Sequence, residues 1–167
     1  PQGLAGLSID GQPVWTAQNG VDQGVRLRDL DRDGLCEVIV ANPRQQAVFT
    51  WGQEAKQWRP LPFTLPVGAI IVDADGRDQG LRFVDIDEDG DLDVLFSNER
   101  QYGLYLFQSL DTGWQREIRG GRRGDAAAIP MVARFGTNNG AWFAARHLWI
   151  QNEDTHKLPD GVDRRSF

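Results

Sequence analysis

Two nine-residue stretches hold most of the residues able to do chemistry. Asp29-Leu30-Asp31-Arg32-Asp33-Gly34-Leu35-Cys36-Glu37 and Asp85-Ile86-Asp87-Glu88-Asp89-Gly90-Asp91-Leu92-Asp93 both read D-x-D-x-D-G-x-x-[DE]. Carboxylates at alternate positions repel one another along an extended strand. A tight turn at the sixth-position Gly folds them inward around one point instead. Hard oxygen donors in a flexible loop suit Ca²⁺, which takes roughly 6–8 oxygens at about 2.3–2.6 Å. The assignment is a side chain at positions one, three, five and nine and a backbone carbonyl at seven. That gives Asp29, Asp31, Asp33, Glu37 and the carbonyl of Leu35 at the first site. The second takes Asp85, Asp87, Asp89, Asp93 and the carbonyl of Asp91.

An EF-hand shares the first six positions but needs a bidentate Glu at position twelve and helices on both sides. Position twelve is Val40 in one loop and Phe96 in the other, and the flanks are β-branched and aromatic. The EF-hand reading fails. A lone acidic loop is most often a solvated turn, but two aligned copies with Gly and acid in the same places favour metal. The loops hold ten of the 24 acidic residues, and two Ca²⁺ would move the net charge from −6 to −2. Without metal such a density repels itself. With the whole shell supplied by one hairpin, the expected role of the ion is structural.

The elements that must position these loops come from an internal repeat. Gly20–Trp58 lies on Gly76–Trp114 without a gap, with 14 identities in 39 positions, too many for chance. Strands Val25–Arg28 and Leu81–Val84 run into the acidic loops, and Glu37–Ala41 and Asp93–Ser97 leave them. Third strands are expected at Ala47–Trp51 and Gly103–Phe107, and fourth strands near Trp58 and over Trp114–Ile118. Four short strands in about 50 residues is the size of a β-propeller blade. The fold class is therefore all-β, with about three four-stranded antiparallel blades, part of a larger propeller.

The boundaries are residues 1–19 as the end of a preceding blade, 20–75 and 76–124 as the blades with the two Ca loops, and 125–167 as a degenerate blade and tail. Within the first segment, Ser8–Gln12 and Val14–Thr16 are expected strands. In the last, Val132–Phe135 is expected to enter a worn loop at Thr137–Gly140, with Leu148–Ile150 leaving it.

The strand–loop–strand unit resembles the FG-GAP or VCBS-like repeat of calcium-binding β-propellers, the kind also found in integrin α-subunit heads. The resemblance implies Ca²⁺ held between the strands of a hairpin by the positions just named. The stretch from Thr137-Asn138-Asn139-Gly140 through His147-Leu148-Trp149-Ile150 to Asp163-Arg164-Arg165-Ser166-Phe167 is similar to the repeat region of Planctomycete-type multidomain dehydrogenase/cytochrome proteins. That resemblance implies redox chemistry only in other parts of such proteins, because neither a haem motif nor a dehydrogenase site lies in this sequence.

Composition narrows the remaining classes. No apolar run approaches the roughly 20 residues of a membrane span, so no integral membrane protein is expected. No signal pattern opens the sequence, so any export leader would be absent from it. A single Cys36 excludes an internal disulfide framework and a multi-Cys zinc site. The acidic balance argues against nucleic acid, and Arg119–Gly124, though similar to an RGG tract, reads as a solvated connection. Arg123-Gly124-Asp125 is a chance triplet on this reading. His147 and His156 have no nucleophile motif beside them, so no catalytic residue is assigned and the chain is not read as an enzyme.

Asp22–Arg26, Asp78–Arg82, Asn42–Gln45 and Asn98–Gln101 are expected to cap turns or join blades. A second reading puts Arg26 and Arg82 on the propeller's central face against a ligand. Trp142, Phe143 and Trp149 are either inter-blade core or a sugar-stacking platform. The resulting expectation is an extracellular or periplasmic, calcium-stabilised scaffold that recognises protein or glycan, with the remaining blades or another copy of the chain as neighbours. The alternative is an accessory part of an exported sugar dehydrogenase or carbohydrate-active enzyme.

Overall fold

The computed structural model describes Leu4 and residues 6–167. Among these residues regular structure is antiparallel β, with one 3-10 turn at Thr155–Lys157. Two hairpins come first: β1 (Ser8–Ile9) with β2 (Gln12–Pro13), and β3 (Ala17–Gln18) with β4 (Val21–Asp22). The first four-stranded sheet is a meander of β5 (Val25–Arg28), β6 (Glu37–Ala41), β7 (Gln46–Gly52) and β8 (Gln57–Pro60). The second repeats it with β9 (Leu81–Val84), β10 (Asp93–Ser97), β11 (Gln101–Leu106) and β12 (Arg116–Arg122). A hairpin of β13 (Ala133–Arg134) and β14 (Thr137–Asn138) then precedes a three-stranded sheet of β15 (Ala141–Ala144), β16 (His147–Ile150) and β17 (Asp163–Ser166). The fold is all-β and built of propeller-type blades.

Both faces of the second strands are covered, which is why they read as unbroken apolar runs. On β6, Val38 and Val40 pack with Leu7, Val14 and Phe49, while Ile39 and Ala41 pack with Val94 and Phe96 of the second sheet. On β10 the pattern recurs: Val94 and Phe96 face back, and Leu95 faces forward against Leu148 and Ile150. The first two four-stranded sheets are thus covered on both faces, and the acidic loops hang from strands held on both sides.

A repeated close crossing fixes the register. Gly24, Gly80 and Gly140 have φ of +67°, +76° and +69°, and a Cβ there would stand 2.5, 2.3 and 1.9 Å from the carbonyls of Ala41, Ser97 and Gln151. Those same residues donate their N–H to the three glycine carbonyls. Beside each crossing an asparagine amide, from Asn42, Asn98 or Asn152, donates to the carbonyl of Gln23, Gln79 or Asn139.

This crossing corrects the reading of the third copy. Val132–Phe135 and Thr137–Gly140 are not a strand entering a worn loop: Ala133–Arg134 pairs with Thr137–Asn138 as the hairpin equivalent to β3–β4. The entering strand must follow the crossing glycine, so it is β15, and its connection to β16 is only Ala145-Arg146, both in the left-handed region (φ 49° and 59°). No acidic loop exists in the third sheet because a two-residue turn replaces it. The first segment also differs. Ser8–Gln12 is broken by a left-handed turn at Asp10-Gly11 (φ 50° and 74°), and Ala17–Gln18, not Val14–Thr16, forms the next strand. Arg119–Arg122 is strand rather than connection, since it pairs along β11 past a bulge at Leu104/Tyr105.

Candidate metal centre

Each acidic loop is the connection between the first two strands of a sheet. Arg28 lies opposite Glu37, and Val84 opposite Asp93, so the last ladder pair clamps the two ends of the loop. Between these ends the chain turns through left-handed residues, Arg32 and Gly34 (φ 57° and 89°) in one loop and Glu88 and Gly90 (φ 64° and 110°) in the other. The second φ of each pair is one that glycine adopts without strain.

The first loop brings Asp29, Asp31 and Glu37 together, with one carboxylate oxygen of each lying within 4.8 Å of the others. The second does the same with Asp85, Asp87 and Asp89. Asp33 stands outside the first group, its Oδ1 accepting the Leu35 N–H at 2.7 Å. Asp93 stands outside the second. Its oxygens accept from the N–H groups of Ile86 at 2.9 Å and Phe107 at 2.8 Å, tying the loop to the end of β11. Glu37 holds the first loop likewise, accepting from Leu30 N–H and the Thr50 hydroxyl. Each carboxylate oxygen has two lone pairs, so these bonds leave capacity for a further donor partner.

Three side-chain oxygens are buried without a hydrogen bond among the described residues: Oδ1 of Asp29, Asp85 and Asp87. All three lie in the acidic groups. Buried carboxylate oxygens normally have a donor, and these three have none among the described residues, although Arg32 and the Gly34 N–H reach the other oxygens of Asp85 and Asp29. A hard cation satisfies them, and the donor set is all oxygen. The residues present therefore fit Ca²⁺.

The electrostatics agree. Burial pushes the Asp93 carboxyl up from 3.8 to about 6, against the pull of its two backbone donors. Burial also raises Glu37, and burial followed by the charges of Asp89 and Asp31 raises Asp91. The two loops also touch: Leu92 N–H donates to Leu30 carbonyl at 3.0 Å, and Arg32 Nη2 meets Asp85 Oδ2 at 2.9 Å.

Arg32 is the residue that motif spacing missed. It sits in the first loop and serves the second, and its only sequence signal is a base where the other copy has Glu88. Its guanidinium is the built-in counter-ion of Asp85 and competes with an added cation there. Replacing Arg32 with Gln is expected to strengthen Ca²⁺ binding at the second loop by roughly two- to fivefold, and to change metal-free stability by less than about 1 kcal/mol, because the arginine is well exposed. A calcium titration of the two proteins checks both.

The other residues noted in sequence fall into structural places. Asn42 and Asn98 cap turns, each accepting two backbone N–H groups through Oδ1. Arg123 clamps the blade, donating to the carbonyls of Asn98 and Ile129 and to Ser97 Oγ, while Asp125 accepts Arg122 N–H. The Arg-Gly-Asp triplet is therefore spent internally. His147 meets Arg164 rather than a carboxylate.

Fold and site together define a propeller-type repeat with cation-suited acidic hairpin loops. Residues 29–96 match the FG-GAP-like repeat family, a span running from the first acid of one loop through the strand that leaves the other. No curated protein and no solved structure matches the chain.

Proposed function

We propose that this chain is a calcium-binding, non-catalytic repeat module, in which two Ca²⁺ ions stabilise the hairpin loops and the blades present a surface for recognition. The observation that carries this reading is the three partnerless buried carboxylate oxygens, all in the two acidic groups. Asp29, Asp31 and Glu37 would hold one ion and Asp85, Asp87 and Asp89 the other, joined by Asp33, Asp93 and the carbonyls of Leu35 and Asp91. The ion supplies charge neutralisation and a fixed turn. FG-GAP-type repeats are scaffolds, and the acids here are committed to loop geometry, which supports a module without catalysis of its own. Extracellular modules bind Ca²⁺ at about 10⁻⁴–10⁻³ M, so the natural setting is extracellular or periplasmic, with protein or glycan as partner.

The test is thermal unfolding in Ca²⁺, in Mg²⁺ and after chelation. At 10 mM Ca²⁺ each site would add about 1.4–2.7 kcal/mol, and two sites together a rise of roughly 6–22 °C. Mg²⁺ should give little of it, because it needs a rigid octahedron and sheds water reluctantly. An unfolding temperature indifferent to Ca²⁺ would reject the reading.

A further inference from the structure

Away from the acidic loops, the first strands of the three sheets converge on a cavity of about 440 Å³. It takes in side chains of β5, β9 and β15, and it holds three guanidinium groups, Arg26, Arg28 and Arg82, against two carboxylates, Asp22 and Asp78. In a chain of net charge −6 this is a locally positive place.

The two aspartates are spent in the same way. Arg26 grips Asp22 end-on, Nη1 to Oδ1 at 3.2 Å and Nη2 to Oδ2 at 2.7 Å, and Nη1 also donates to its neighbour's carbonyl. Arg82 grips Asp78 with the same atoms at 3.0 and 2.7 Å. End-on pairing uses Nη1 and Nη2 and leaves the side-on edge, Nε–H with the second Nη2–H, without an acceptor among the described residues on either arginine. Their side chains are about one third exposed and both line the cavity. Arg28 makes no ion pair among the described residues: it donates to Leu27 carbonyl and lies 5.8 Å over the Phe83 ring.

At the third equivalent position the repeat replaces arginine with Trp142, which lines the same cavity and remains 45% exposed although stacked on Trp149. Free guanidinium edges bind carboxylates bidentately. An accessible indole beside them offers an apolar face to a ring. The volume lies in the range of small-ligand sites.

We propose that this cavity binds a short acidic saccharide, with the sugar carboxylate on the arginines and a ring face on Trp142. The inference rests on the recognition reading above, and it names the ligand class and the place. It is independent of what the metal loops bind.

The test is isothermal titration of the full chain with digalacturonate, an uncharged galactose disaccharide and tri-aspartate. Digalacturonate should bind, and the neutral sugar and the peptide should bind at least about tenfold more weakly. Arg28→Ala and Trp142→Ala should each weaken digalacturonate by about tenfold, since both side chains are exposed and neither substitution opens the core. Val67→Ala, at a fully exposed position outside the cavity, should change nothing. Uronates also chelate Ca²⁺, so the titration is repeated in chelator with the Asp85→Asn, Asp87→Asn protein, where binding should persist. The proposal is overturned by no binding to the wild type, by affinity unmoved in both cavity variants, by tri-aspartate binding as well or better, or by dependence on the acidic loops. Calcium-dependent melting reads the loops separately, so failure there and failure here are distinguishable.

Discussion

Asparagine at both Asp85 and Asp87 is expected to abolish the second loop's response to Ca²⁺ while leaving the metal-free protein more stable. The sign follows from the loop's geometry. Oδ1 of each residue is buried without a donor among the described residues, and the carboxylates of Asp85, Asp87 and Asp89 crowd within 4.8 Å of one another. An amide of the same shape removes two charges from a place that does not solvate them. What is lost is the Arg32–Asp85 pair, whose arginine is exposed and which is worth at most about 1 kcal/mol. The chelated double variant should therefore gain on the order of 1 kcal/mol over the chelated wild type. In 10 mM Ca²⁺ the order reverses, because the wild type keeps the site's contribution of about 1.4–2.7 kcal/mol. Denaturant titrations with and without chelator measure both. A variant destabilised in both conditions would mean that the aspartates serve the fold by some other contact.

The second large effect is expected at Asp93, a carboxylate only 1% exposed that serves both the loop and the blade. Asp93→Ala leaves the N–H groups of Ile86 and Phe107 buried without acceptors, a loss of about 2–5 kcal/mol. Asp93→Asn keeps one acceptor and should lose roughly half of that. The same carboxyl gives the metal-free protein an unusual pH response. Its folded value of about 6 lies above the unfolded 3.8. Stability from this group is fully present below the unfolded value and is lost as pH rises through the folded one. A rise from 3.8 to about 6 corresponds to roughly 3 kcal/mol. Chelated wild type should therefore be stabilised on going from pH 7 to pH 5 relative to Asp93→Asn. A nearby Ca²⁺ favours the ionised carboxylate and should flatten the difference. Parallel melts of the two proteins across that range, with and without Ca²⁺, are the check.

Most of the blade architecture was legible because the acidic loops punctuate it. Val25–Arg28, Glu37–Ala41, Leu81–Val84 and Asp93–Ser97 are bounded on one side by a run of aspartates and on the other by Gly24 and Gly80 or Asn42 and Asn98. The apolar trios of Glu37–Ala41 and Asp93–Ser97, Val38–Val40 and Val94–Phe96, mark these two as buried strands. The third sheet was harder for a physical reason. Its acidic loop is replaced by Ala145-Arg146, so the strongest marker is missing, and the remaining one, Gly140 crossing Gln151, is a single glycine among many. Strand identity at Arg119–Arg122 was also hidden. Two glycines and two arginines carry no apolar alternation, and only pairing with β11 makes them a strand.

At the site, composition identified the acids, but spacing alone did not say which of them converge. Both ninth-position acids accept two hydrogen bonds, but Glu37, longer by one methylene, joins the first group while Asp93 stands outside the second. Arg32 was invisible for the opposite reason, since its partner lies in the other repeat. Contacts between repeats leave no local pattern in either one.

The most direct measurement is the number of Ca²⁺ ions bound per folded chain, by equilibrium dialysis at millimolar Ca²⁺ against excess Mg²⁺. Two ions are expected, falling to one in the Asp85→Asn, Asp87→Asn protein. A count near zero, with the chain folded, would contradict calcium binding by the paired loops.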